Sequence, residues 1–231
     1  MNSQIAIHTE HGPLYGQLLL PPDARGLVVL AHAGTALESG TIIRDASETN
    51  TELPSPNHDE ALAVFLHRAG LASLTINLVT QQENRFPDAR NNVPLHAKRL
   101  LDCLAFAKRQ LLNDELTAFP IGLCGSDTTS PVVVRIAALR DNDISAVVCR
   151  GGLIDLAGTL YLHSLAAPLL MLVGAYDEHL IASSRRALKE VSAHKEMKLI
   201  PDSNSDFATS SAFGVMAQET VRWFVQQLPS P

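Results

Sequence analysis

The residues best placed to do chemistry lie in Ile121-Gly122-Leu123-Cys124-Gly125-Ser126-Asp127-Thr128-Thr129-Ser130. A short apolar run ends in a glycine, polar residues follow, and a helical pattern begins. A nucleophilic serine is carried on such a strand–turn–helix as Gly-x-Ser-x-Gly, with the serine at the tip of a strained turn. Here Asp127 holds the tip and Thr129 stands where the closing glycine would be. A carboxylate at the tip needs no deprotonation to attack an electrophilic carbon. It can equally cap the N–H of Thr129 or Ser130 and meet the positive end of the helix dipole, a cap contributing about 0.5–2 kcal/mol. A β-branched residue at Thr129 is awkward where a helix must pack close behind a strained turn, so the turn is expected to have relaxed.

Other reactive groups nearby read as structural. Ser126 is one residue off the tip, and Cys124 lies inside the apolar strand. Cys103, Cys124 and Cys149 are odd in number and widely spaced, with no Cys-x-x-Cys pair. They read as buried, reduced thiols, and no metal site or cofactor is expected.

The elements that must position Asp127 follow from hydrophobic patterning. Gly26–His32, Leu71–Leu78, Pro120–Cys124, Ile144–Cys149, Leu169–Val173 and Met197–Ile200 are short apolar runs, as expected of strands covered on both faces. Between them, helical spacing runs from Asn57 to Gly70, through Leu95 to Leu111, and over Thr128–Leu139, Ile181–Ser192 and Phe213–Leu228. Asn57 and Glu60 have the spacing of a capping box. Alternating strands and helices imply βαβ units and a mostly parallel sheet. Ile5–Leu20 adds one or two antiparallel strands. A polar loop over residues 35–56, with Asp45, Glu48 and Glu52, leaves the sheet where ligands of open α/β sheets bind.

Composition narrows the partners. The chain has 231 residues, 46% hydrophobic and 18% charged, with a net charge of −6. An acidic chain without clustered Lys/Arg is a poor binder of nucleic acid or anionic membrane. No run of about 18 apolar residues predicts a membrane span. The N-terminus lacks a basic region followed by an apolar one, so no signal peptide and a cytoplasmic location are expected. A small-molecule ligand in the cleft and a protein partner are both compatible with this composition.

The order of elements and several local strings resemble the dienelactone hydrolase-type branch of the α/β-hydrolase superfamily, from about Gly26 to Phe224. Ala31-His32-Ala33-Gly34 is similar to the family's His-Gly loop, which supplies an oxyanion N–H. Arg150-Gly151-Gly152 with Asp155-Leu156-Ala157 resembles the stretch after the next strand. Leu172-Val173-Gly174-Ala175-Tyr176-Asp177 is similar to the acid loop, with Asp177 as the acid. Lys198-Leu199-Ile200-Pro201-Asp202-Ser203-Asn204-Ser205-Asp206-Phe207 is similar to the segment that carries the catalytic histidine, and Ser205 stands in that place. The resemblance implies a single α/β-hydrolase-fold domain over residues 1–231, with helices on both faces of the sheet. It implies Asp127 and Asp177 as the catalytic positions. Gly34, Thr128 and His32 fall in the oxyanion region, and Arg150 is placed to bind a substrate carboxylate or phosphate.

Two members of the implied triad have changed. Losing Ser or His from such a unit costs on the order of 10⁶ in turnover. The sequence therefore reads first as a binding or regulatory pseudoenzyme. The alternative is an active hydrolase of small esters, lactones, haloacids or epoxides with Asp127 as nucleophile or base. An aspartyl ester would still need a base to activate water. His179 and His32 are the histidines expected near the cleft rim. Without a histidine partner, Asp177 is expected to pair with Arg150 or a backbone N–H.

Overall fold

The computed structural model describes residues 2–10, 12–34, 58–110, 120–140 and 142–228. The polar loop over residues 35–56 and the capping residue Asn57 lie outside the described residues. Eight strands form one sheet: β1 (Asn2–Thr9), β2 (Gly12–Leu19), β3 (Leu27–His32), β4 (Ala72–Asn77), β5 (Ile121–Ser126), β6 (Ile144–Arg150), β7 (Leu169–Gly174) and β8 (Lys195–Ile200). Their spatial order is β1-β2-β4-β3-β5-β6-β7-β8. β2 runs antiparallel to both β1 and β4, and every pairing from β4 to β8 is parallel.

Among the described residues, six α-helices connect or close the sheet: α1 (His58–Arg68), α2 (Val93–Gln110), α3 (Ser130–Leu139), α4 (Thr159–Ser164), α5 (Glu178–Glu190) and α6 (Ser210–Gln227). Strand residues alternate between two cores. Val29, Ala31, Leu123, Val147, Cys149, Met171 and Val173 face the helices α2 to α5, whereas Val28, Leu30, Cys124, Val148, Leu170 and Leu172 face α1 and α6. Both sets are buried, which is why these strands read as unbroken apolar runs rather than as an alternation. The edge strand β8 has only one residue, Ile200, fully buried, and its sequence carries Lys195, Glu196 and Lys198.

The chain winds from β3 outward to β4 and then back to β5 on the other side of β3. That reversal leaves a crevice at the carboxyl ends of β3 and β5, the place where open α/β sheets bind ligands. The turn after β5 is the Gly125–Thr129 segment.

Candidate functional site

The turn after β5 has not relaxed. Asp127 sits at φ +47°, a left-handed conformation that a non-glycine residue adopts only when its surroundings impose it. Two glycines make room for it. A Cβ on Gly125 would lie 2.7 Å from the Thr129 carbonyl oxygen, and one on Gly152 would lie 2.0 Å from that of Asp127. Thr129, in place of the closing glycine, is fully buried. Its Oγ1 accepts the Ser126 N–H at 2.9 Å and lies 2.7 Å from the carbonyl oxygen of Ala31 and 2.8 Å from that of Ser126. The hydroxyl thus ties the turn to β3, which offsets the crowding expected of a β-branched residue. The Asp127 carboxylate caps neither Thr129 nor Ser130: it accepts no hydrogen bond among the described residues, and α3 has no side-chain cap.

Loops from the carboxyl ends of five strands close around one cavity of about 580 Å³. Asp127, Thr128 and Pro131 come from β5–α3, Gly152, Leu153 and Leu156 from the segment after β6, and Asp177, His179 and Leu180 from the start of α5. Asn204, Ser205 and Asp206 follow β8, and Asn91 follows β4. The structure therefore brings together Asp127, Thr128, Asp177 and Ser205, with His179 beside them. The Ser205 Oγ accepts the Gly174 N–H at 3.1 Å, and the Asp177 Oδ1 accepts the Leu180 N–H at 3.1 Å as the N-cap of α5. Both groups are engaged with backbone.

His32, Arg150 and Gly34 are not among the residues that line this cavity. Arg150 is 4% exposed and donates to the Oδ1 of Asp59, itself 3% exposed. His32 Nδ1 lies 3.2 Å from the other oxygen of the same carboxylate. Burial opposes ionisation of Asp59, but the charge of Arg150 and the contact with His32 outweigh it and hold the carboxyl well below the usual range. Arg150 is thus withdrawn from any ligand by an internal ion pair, and Asp177 takes a backbone N–H instead of Arg150. The Gly34 N–H donates to Asn77 Oδ1 at 3.1 Å, so that group is already spent on the protein. Arg90 packs over Gly34: its Nε would lie 2.4 Å from a Cβ there.

The three thiols are buried. Burial pushes Cys103 up to about 12 and Cys124 up to about 11, and raises Cys149 as well, so none is a nucleophile at neutral pH. Met171 and Phe207 are core residues.

Some lining residues carried no readable signal. Asn91 lies in a short 3₁₀ turn, Pro87–Asn91, with no periodicity to place it. Gly151-Gly152 did carry one, since paired glycines after a strand indicate a close backbone approach. No group of His, Cys, Asp and Glu among the described residues could hold a metal ion.

Among solved structures, the chain superposes on a dienelactone hydrolase from Anabaena variabilis with a TM-score of 0.84 and 29% identity, over 99% of each chain. Est1E from Butyrivibrio proteoclasticus matches with a TM-score of 0.71 and 14% identity, over 97% of this chain and 98% of that one. An alpha-beta serine hydrolase homologue from Coxiella burnetii matches at 0.68 and 15%, over 95% and 96%. The chain has the α/β-hydrolase fold. Within that fold, its likeness is to dienelactone hydrolase and to esterases. In sequence, proteins of two Mycobacterium tuberculosis strains, both provisionally named phosphoribosyl transferases, are 29% identical over 220 residues. The match takes in 95% of this chain and 45% of each relative, so the chain spans about half the length of the curated relatives it matches. No protein-family profile matches the chain. No helix among the described residues is long and apolar enough to cross a membrane.

Proposed function

We propose that this α/β-hydrolase-fold protein binds a small molecule in the cavity at Asp127 and does not hydrolyse it. One observation carries the reading. The groups at the acid and histidine positions, Asp177 and Ser205, each satisfy a backbone N–H, and the histidine position offers no base. A serine route needs a hydroxyl at the tip and an imidazole to take its proton; neither is in place. A cavity of about 580 Å³ is within the range that holds small ligands. The expected result is no turnover above buffer for a panel of aryl esters, lactones, 2-haloacids and epoxides, and no adduct on Asp127 by intact-protein mass spectrometry. Turnover that disappears in Asp127→Asn would overturn the reading.

A second reading rests on His179, which lines the same cavity as Asp127. In it, the Asp127 carboxylate displaces a halide or opens an epoxide, and His179 takes a proton from the water that hydrolyses the resulting ester. Its signature is haloacid or epoxide turnover in the native protein, replaced in His179→Ala by a stoichiometric ester on Asp127. Absence of both turnover and adduct sinks it.

A further inference from the structure

The lining of the cavity has two chemistries. Pro131, Leu153, Leu156 and Leu180 give it an apolar wall. Leu156 is 58% exposed, so part of this wall is open to solvent. Among the described residues, the polar part holds three carboxylates, from Asp127, Asp177 and Asp206, together with His179, and no Lys or Arg. Three arginines from neighbouring elements are held elsewhere. Arg90 lies over Gly34, Arg135 donates to the Ala157 carbonyl at 3.1 Å and stacks over Tyr161, and Arg150 is held by Asp59.

The carboxylates are not equally occupied. Asp177 and Asp206 accept the backbone N–H groups of Leu180 and Ala208, at 3.1 and 3.2 Å. Asp127, at the tip of the turn and exposed, accepts no hydrogen bond among the described residues and is one of the residues that line the cavity. A carboxylate without a protein partner, in a concave site that holds two more carboxylates, favours a cation that can donate N–H. A phosphate or carboxylate entering the same space meets like charge.

We propose that the cavity receives a cationic amphiphile, a protonated primary or secondary amine on an apolar body, with its ammonium on Asp127 and its body against Leu153 and Leu156. The proposal rests on the reading of this cavity as a small-molecule site. It excludes phosphorylated ligands from the cavity.

The test uses three probes of one shape: 4-phenylbutylamine, 4-phenylbutan-1-ol and 4-phenylbutanoate, titrated calorimetrically into the full chain at pH 7. The amine should bind at least about tenfold tighter than the alcohol, with the carboxylate weakest, and the preference should shrink as salt is added. Asp127→Asn should abolish the preference and leave alcohol binding in place. Should that variant fail to fold, Asp206→Asn, at an exposed position, should reduce the preference severalfold. Equal affinities, tighter binding of the carboxylate, or a preference that survives both substitutions would overturn the amine assignment while leaving the cavity as a binding site. Binding of none of the three would overturn both. Ester turnover dependent on Asp127 would overturn only the non-hydrolytic reading.

Discussion

The buried ion pair behind the site makes the sharpest stability prediction. Arg150 and Asp59 are 4% and 3% exposed, and Arg150 donates to Asp59 from the end of β6 to the start of α1. Replacing Arg150 with Met keeps much of the volume but leaves the Asp59 carboxylate buried without that cation. Breaking a buried pair in this way costs about 3–5 kcal/mol. The cost should depend on pH in a stated direction. In the native protein the Asp59 carboxyl is held well below its unfolded value, so its contribution is fully present above about pH 4 and is lost as pH falls further. Without Arg150, burial dominates and raises the carboxyl instead, so stability is then lost as pH rises. The destabilisation by Arg150→Met should therefore exceed, by at least about 1 kcal/mol, at pH 8 what it is at pH 5. Urea unfolding read by fluorescence measures this, because Trp223 is the single tryptophan and is fully buried. Replacing both partners, as Arg150→Met with Asp59→Leu, should recover most of the loss. A single variant that costs under about 1 kcal/mol, or equally at both pH values, would refute the account of a desolvated pair.

Three further outcomes follow from particular contacts. Gly122→Ala should destabilise by about 1–3 kcal/mol in urea, since the added Cβ would lie 2.5 Å from Cε1 of buried Phe224. Burial, with the nearby charge of Arg99, lowers His96 to about 4, so the unfolded chain binds the extra proton between there and its own value of 6.5 and stability falls with pH. His96→Leu should lose about 2 kcal/mol less than the native protein between pH 7 and pH 5; an unchanged slope would contradict this. The double change Asp127→Ser with Ser205→His should raise hydrolysis of p-nitrophenyl butyrate at least about tenfold over the native protein, because the turn that presents residue 127 is retained. Inactivity in a folded double variant would show that more than the two side chains has been lost.

Much of the fold was legible because strands covered on both faces must be apolar throughout, so β3 to β7 announce themselves. The boundaries moved where a cap decided them: α5 begins at Glu178 rather than Ile181 because Asp177 accepts the Leu180 N–H. Short elements such as Pro87–Asn91 and Ile154–Ala157 span too few residues to show a period. The position of the cavity beside Asp127 was also legible, from the glycine that ends β5 and the helix that follows. Its internal economy was not. The relaxation expected from Thr129 fails because the hydroxyl reaches the Ala31 carbonyl, 98 residues away in the chain. Arg150 looked available because its partner, Asp59, is 91 residues distant and reads locally as an ordinary first-turn acid. Pairings of that kind are fixed by the order of strands, which local patterning does not encode.

The left-handed turn at Asp127 has a consequence for how such a chain can change. Gly125 and Gly152 are held by neighbouring backbone atoms, not by any reacting group, and Thr129 is held by β3. A substitution at the tip removes none of these contacts. Shape and reactivity are separately specified at this point. The contacts that set the shape do not include the tip side chain, so the turn is a mould that any side chain tolerated by a left-handed backbone can occupy.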